Sequence, residues 1–316
     1  MIDKLPILIL YPHSRCNCRC VMCDIWKVDA VQEISAADLD RHAADLEALS
    51  VEWVVFSGGE PLMHSDLFRL SDRLRKLHIR TTILSTGLLL EKYAARIVEA
   101  LDDVIVSLDG PPEVHDRIRR IPRAFELLAR GVQALRRLKP DYPVAARSTV
   151  QKLNFNRLRE TIRTARELGL QSISFLAADL TSTAFNRPDG WSHDRQAKIA
   201  LAAEEVLALE QEIEAIPPDG FVLETPEKLR RIALHFRAHL GLAEPVSPRC
   251  NAPWVSAVVE SDGTVRPCFF HQPIGSLRDH SLCEVLNGRE AVTFRQNLDV
   301  AQNPICRRCV CSLYLH

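Results

Sequence analysis

No stretch of this chain approaches the apolar length that a bilayer crossing requires, and the N-terminus lacks the basic region, apolar core and small-residue cleavage site of a secretory signal. Net charge is nearly absent. Forty basic residues face 41 acidic ones, a balance of -1, so no broad field favours nucleic acid or an anionic membrane as partner. Internal repeats and low-complexity tracts are missing too. With 47% hydrophobic side chains over 316 residues, the chain can bury a full core and is long enough for one large domain plus a smaller one. These absences predict a cytoplasmic protein that handles small polar ligands, with no nucleic acid and no membrane among its partners. In that reducing compartment ten cysteines are not expected to form a disulfide framework, which leaves metal binding or catalysis to explain their clustering.

The cysteines fall into Cys16, Cys18, Cys20 and Cys23, then Cys250 and Cys268, then Cys306, Cys309 and Cys311, with Cys283 alone. Around the first set, from residue 5 to about 178, β-rich runs alternate with helix-period segments. The runs are LPILIL, VEWVVFSGG, RTTILSTG, DVIVSLDG, VAARSTVQKL and QSISFLAA, which predicts six βα units in a parallel sheet with helices outside. Helix starts are expected at Ser35 with Asp38 three residues on, at Ser65, and at Asn156. One long helix is expected over RQAKIALAAEEVLALEQEIEAI, broken by PPDG, which divides the chain into residues 1–216 and 217–316. The second part carries a helix in TPEKLRRIALHFRAHLG and a hairpin, SAVVESDGTVRPC, turning at Asp262-Gly263.

In a parallel α/β sheet the ligand site forms where strands open into loops at their C-terminal ends. Every unusual segment here lies at such an end: the cysteines after strand 1, Gly58-Gly59-Glu60-Pro61 after strand 2, Ser85-Thr86-Gly87 after strand 3 and Ser107-Leu108-Asp109-Gly110 after strand 4. Read as C-x3-C-x2-C, the residues Cys16, Cys20 and Cys23 give three thiolates from one loop, leaving one iron of a 4Fe-4S cube open to a ligand. The bland alternative is a zinc loop, with His13 as a fourth ligand.

This cysteine spacing, with GGEP after the second strand and SLDG after the fourth, resembles the radical S-adenosylmethionine (SAM) superfamily over residues 5 to about 180. The resemblance implies an α/β fold: a partial (β/α)6 TIM-like barrel followed by a small C-terminal α+β auxiliary-cluster domain. It implies SAM chelated to the open iron, reductive cleavage to methionine and a 5'-deoxyadenosyl radical that abstracts hydrogen, and an electron donor such as flavodoxin or ferredoxin. The cofactor then carries the hard chemistry while the protein positions it. Gly58 and Gly59 suit close backbone approach to the methionine moiety, and Glu60, ahead of Pro61, offers an acceptor for an ammonium group. SLDGPPEVHDRIR resembles the segment that supplies a Ser and an Arg to SAM in sulfatase-maturase-like members. Here these are Ser107 and Arg119, with Asp109 in the same motif, and an arginine fork suits a carboxylate. Met22 stands where the family usually has an aromatic contact for adenine. Cys18 falls where the family has no ligand and is read as a bystander.

The second cysteine group flanks the hairpin and continues in the tail. Cys250, Cys268, Cys306 and Cys309 resemble the Twitch domain, a shortened relative of the SPASM extension, which implies one fully ligated auxiliary 4Fe-4S cluster; Cys311 competes with Cys309. A structural zinc ribbon is the alternative. Cys283, at helical spacing, is expected in the core. A cluster of that kind near the substrate is an electron acceptor, which favours oxidation of a small polar metabolite, carbohydrate or aminocyclitol in kind. The first strand begins at about residue 5, without the leader-binding domain of many peptide-modifying relatives, and this also points to a small molecule. The alternatives are a peptide maturase forming a crosslink or thioether, and a non-catalytic iron-sulfur or zinc protein. Asp179, His115 and His271, polar residues near the expected mouth, are equally well explained as solvated loop residues, so no general base is named.

Overall fold

The computed structural model describes residues 1–315. All six expected runs form strands: β1 (Ile7–Leu10), β2 (Trp53–Phe56), β3 (Arg80–Ser85), β4 (Asp103–Ser107), β5 (Val144–Val150) and β6 (Ile173–Ala177). They pair in parallel from β1 through β6 in sequence order. The intervening helices are α1 (Ala36–Arg41), α2 (Ala43–Ala48), α3 (Leu67–Lys76), α4 (Leu90–Ala100), α5 (Pro112–Arg119), α6 (Ala124–Leu138) and α7 (Leu158–Glu167). β5 shows how the layers divide. Val144, Ala146, Ser148 and Val150 are buried under the helices, while Arg147 between them is exposed on the inner face of the sheet.

The hairpin does not stand apart from this sheet. β7 (Ser256–Val259) runs parallel to β1, with Ile7 opposite Ser256 and Leu10 opposite Val259, and antiparallel β8 (Thr264–Arg266) and β9 (Gly275–Ser276) follow. The result is one nine-stranded sheet in the order β6-β5-β4-β3-β2-β1-β7-β8-β9, open because β6 and β9 are its two ends. The expected boundary near residue 216 therefore does not interrupt the sheet, and the main apolar core runs from Ile2 to Ala291. The turn forms at the expected place, with Gly263 at φ +91°. The chain after PPDG returns along the free edge of β6, where Phe221 O accepts from Ile173 N at 2.9 Å and Leu223 N donates to Ile173 O at 3.0 Å.

Two local expectations are corrected. The long helix is α8 (His193–Ala197) and α9 (Ala203–Glu214), because Ile199, Ala200 and Leu201 are drawn into the core between them and Ile199 O accepts from Lys152 N at 2.9 Å. Of the three helix starts, Ser35 and Asp38 form the expected capping box, but α3 and α7 begin after Asp66 and Arg157 without side-chain caps. Ser65 is spent elsewhere, its Oγ donating to Glu33 at 2.5 Å. The helix in TPEKLRRIALHFRAHLG is α10 (Pro226–His239), capped by Thr225.

Candidate active site

The cysteine loop leaves β1 at Tyr11 and is tied down by backbone on both sides. Glu60 N donates to Arg15 O at 2.9 Å, Arg19 N to Arg119 O at 3.1 Å and Val21 N to Ile118 O at 3.0 Å. Gly59 is where the loop and the β2 end meet: a Cβ there would lie 2.0 Å from the Arg15 carbonyl oxygen. The room left by this glycine is thus used by the chain's own loop. Gly59→Ala should push the loop off its seat, and iron analysis should find about half of the iron gone with the second cysteine set still loaded; a full complement would contradict this.

Cys20 is buried, while Cys16 and Cys23 are half-buried. Cys16 lies within the electrostatic reach of both Cys20 and Cys23. Burial pushes the Cys23 thiol up to about 12. Cys20 is drawn the other way, first by a hydrogen bond from Cys18 and then, against its burial, by the Arg119 guanidinium, whose Nη1 is 3.5 Å from its sulfur. Cys18 therefore sits inside the loop as a partner of Cys20.

The expected SAM residues arrive already paired. Glu60 is fully buried and accepts from Thr86 N at 2.7 Å, Thr86 Oγ1 at 2.7 Å, Ser85 Oγ at 3.0 Å and Leu62 N at 3.1 Å. Burial raises its pKa and these donors oppose the rise. Asp109 is fully enclosed: Oδ1 accepts from Thr149 N at 2.8 Å and Oδ2 lies 2.5 Å from Arg119 Nη2. It supports the loop from behind through Arg119. Ser107 is half-buried at the end of β4, level with Arg147 across the sheet, and Met22 is half-buried against the core. Pro61 begins the buried turn after Glu60. His13, the candidate zinc ligand, turns its Nδ1 to Glu33 Oε1 at 3.0 Å.

Cys250, Cys268, Cys306, Cys309 and Cys311 line one cavity of about 310 Å³ together with the inner face of the sheet. Five thiols thus face the space where four were expected, and Cys283 is elsewhere, packed against the core. Cys250 accepts from Ala252 N at 3.4 Å, Cys306 is 3.4 Å from His271 Nε2, and Arg231 Nη2 donates to the Cys309 carbonyl at 2.7 Å. Burial pushes Cys306 up to about 11 and Cys311 up to about 11, the latter against Arg147. Among the described residues no three His, Cys, Asp or Glu side chains close on a single metal-ion position.

Asp179, His115 and His271, for which a solvated loop position is one of two readings the sequence leaves open, are all buried. Asp179 pairs with Arg187 and accepts from Ser182 Oγ at 2.5 Å, His115 Nδ1 lies 3.3 Å from Asp109 N, and His271 faces Cys306. Residues that sequence reasoning did not single out complete the site. Trp191 Nε1 donates to Asp24 Oδ2 at 2.6 Å and Asn186 Nδ2 to Asp24 O at 3.1 Å, strapping the segment after β6 onto the cysteine loop. Tyr11 stacks on Phe269 with centroids 6.2 Å apart. Burial raises its phenol well above the usual value, and so do Glu260, Cys23 and Cys311. Beside it opens a mouth of about 520 Å³ lined by His13, Gly58, Gly59, Arg187, Glu260 and Phe270 among others.

An open parallel barrel whose strand ends hold a three-cysteine loop, with a second cysteine set against its inner face, defines an iron-sulfur protein of the α/β-barrel class. The chain belongs to the radical SAM superfamily: the model of that superfamily matches residues 10–165, and the model of the SPASM iron-sulfur cluster-binding domain matches residues 250–310. It therefore carries a SAM-binding 4Fe-4S cluster and an auxiliary cluster. The donor sets fit both, three thiols on one loop for the first and thiols from hairpin and tail for the second. The chain is 32% identical over 162 residues to the AdoMet-dependent heme synthase of Methanosarcina barkeri, covering 49% of this chain and 45% of that protein, so it spans about half the length of that relative. It is 25% identical over 294 residues to the PqqA peptide cyclase of Ruegeria pomeroyi, covering 88% of this chain and 71% of the relative. The fold matches Streptococcus suis SuiB bound to S-adenosylmethionine with a TM-score of 0.66 at 14% identity, over 99% of this chain and 73% of that one. These relatives are enzymes by name, and among the described residues no helix is long and apolar enough to cross a membrane.

Proposed function

We propose that the chain catalyses a SAM-dependent radical oxidation of a small polar metabolite, carbohydrate or aminocyclitol in kind. The carrying observation is the mouth beside Tyr11, which shares Phe269 and Phe270 in its lining with the cavity of the second cysteine set. When bound, SAM on the first cluster supplies a hydrogen-abstracting 5'-deoxyadenosyl radical and the auxiliary cluster supplies an electron sink. Net loss of one hydrogen atom, one electron and one proton from a carbinol then gives a carbonyl. In this reading Cys16, Cys20 and Cys23 hold the first cluster, and Cys250, Cys268, Cys306 and Cys309 hold the second, with Cys311 the remaining thiol. Glu60 and Ser107 line the SAM site, Asp109 holds Arg119, and Arg119 orients Cys20. The Tyr11 hydroxyl, a donor at neutral pH, donates a hydrogen bond to a substrate oxygen. Cavities of about 310 and 520 Å³ fall in the range of roughly 300–1,000 Å³ typical of small-molecule sites.

A second reading, a peptide maturase, is favoured by the match to a PqqA peptide cyclase across 88% of the chain. Anaerobic turnover with deuterated sugars, aminocyclitols and precursor peptides separates the two. Deuterium is expected in 5'-deoxyadenosine from a sugar or aminocyclitol, and transfer from a peptide alone would replace the first reading with the second.

A further inference from the structure

Two arginines project from the inner face of the parallel strands, and only one of them is neutralised. Strand alternation puts Arg80, Thr82 and Leu84 on that face, where Arg80 pairs with Asp103 Oδ2 at 2.6 Å and stacks on Trp53. Arg147 has no such partner. It is exposed in the middle of β5, donates from Nε to Ser174 Oγ at 3.2 Å, and its two Nη groups meet no acceptor among the described residues. An arginine tied down at Nε leaves its pair of Nη donors free, and that pair matches two oxygens of a carboxylate or phosphate.

The surroundings leave that charge uncompensated. Among lysine, arginine, aspartate and glutamate, the cavity of about 310 Å³ is lined by Arg147, Lys228, Arg231 and Glu224, so one carboxylate faces three cations. Glu224 accepts from Phe175 N at 2.9 Å and forms no ion pair among the described residues. Arg231 is spent on the carbonyls of Val246 and Cys309, at 2.9 and 2.7 Å. Lys228, in the first turn of α10, is exposed and likewise forms no ion pair among the described residues. Much of the sheet wall is apolar, with Ile9, Val55, Leu84 and Ile105, so water screens a charge there less than on open surface.

We propose that Arg147, supported by Lys228, is an anion subsite that selects a substrate bearing a carboxylate or phosphate, which makes the metabolite an acidic or phosphorylated sugar rather than an aminocyclitol. This narrows the oxidation reading given above and rests on it. Ser107, Arg147 and Ser174 stand level on adjacent strands, and Ser107 lines the SAM site in that reading. An oxyanion on Arg147 therefore holds the substrate beside the place where hydrogen is abstracted. An ammonium group would meet like charge instead, which costs affinity. The competing role for these cations is to offset the negative charge of the auxiliary cluster. Arg231 suits that role, because it donates to the Cys309 carbonyl, whereas Arg147 is tied to β6.

Anaerobic titration calorimetry of the reconstituted holoprotein with SAM bound tests this without turnover, using inorganic phosphate, glucuronate, glucose and glucosamine as probes. Glucuronate should bind about tenfold or more tightly than glucose, and glucosamine more weakly than glucose. Binding of inorganic phosphate without glucuronate would assign the subsite to a phosphorylated sugar. Arg147→Gln should remove the preference for the anion, Arg147→Lys should keep part of it, and Lys228→Gln should weaken it by a smaller factor. Arg80→Gln, at the arginine already neutralised by Asp103, should leave it unchanged. Binding of neither anion, equal affinity for glucuronate and glucose, or a preference for glucosamine overturns the proposal. So does an Arg147→Gln variant whose only defect is in SAM affinity, since the arginine would then hold SAM, or only in auxiliary iron or its reduction potential, since it would then serve the cluster. Deuterium transfer into 5'-deoxyadenosine from a peptide alone is a separate result: it refutes the oxidation reading, while the calorimetry still decides the subsite.

Discussion

Alanine at Cys16, Cys20 and Cys23 together should lower the iron content from about eight to about four per chain and abolish 5'-deoxyadenosine formation. The two losses go together because the open iron that SAM requires belongs to this loop, while the second set is assembled from other parts of the chain. The protein should remain folded. The loop is anchored through backbone atoms of Arg15, Arg19 and Val21, and Asp24 is held by Trp191 and Asn186, so none of these contacts depends on a thiol. Cys18→Ala is the informative companion, because Cys18 is buried in the same loop and hydrogen-bonded to Cys20. It should keep the full complement of iron. Iron unchanged in the triple variant, or lost in Cys18→Ala, would redraw the ligand set; tightly bound zinc in place of four irons would refute the second cluster.

What could be read from the sequence follows the range of the interactions involved. β1 is four consecutive buried residues, ILIL, and such a run marks a strand covered on both faces. Asp262-Gly263 names its own turn. The break between α8 and α9 leaves no such mark, because no glycine or proline lies between Lys198 and Ala202 and the cause is the burial of Ile199, Ala200 and Leu201 against distant parts of the core. The cysteine spacing and the SLDG segment mark the candidate site, but the role of Asp109 depends on where Arg119 points, and only the packing of α5 against the loop decides that. The local context of Ser65 suits a helix cap, but Glu33, far away in sequence, accepts from its hydroxyl. Tyr11 was within reach of sequence reasoning. It continues the alternation Ile7, Ile9, Tyr11 along the inner face of β1 and so had to point into the barrel.

In a Cys306→Ala/Cys309→Ala variant, SAM cleavage and product formation should come apart. The first cysteine set is untouched, so dithionite should still drive slow formation of 5'-deoxyadenosine, with iron reduced to about half. The oxidised product should disappear, because the substrate-derived electron has lost its sink. Geometry makes the separation clean: Cys306 and Cys309 line the cavity on the inner face of the sheet, whereas the cysteine loop is seated by β2 and α5. Cys311 makes the test sharper. It shares that cavity and feels Cys250 and Cys268 as Cys309 does, so Cys311→Ala should retain auxiliary iron if Cys309 is the ligand and lose it if the two exchange roles. Mass spectrometry of the products alongside iron analysis reads both questions in one sample. If the double variant, with its auxiliary iron confirmed lost, formed product at the wild-type rate, the second cluster would be a structural support and the electron would leave the substrate by another route.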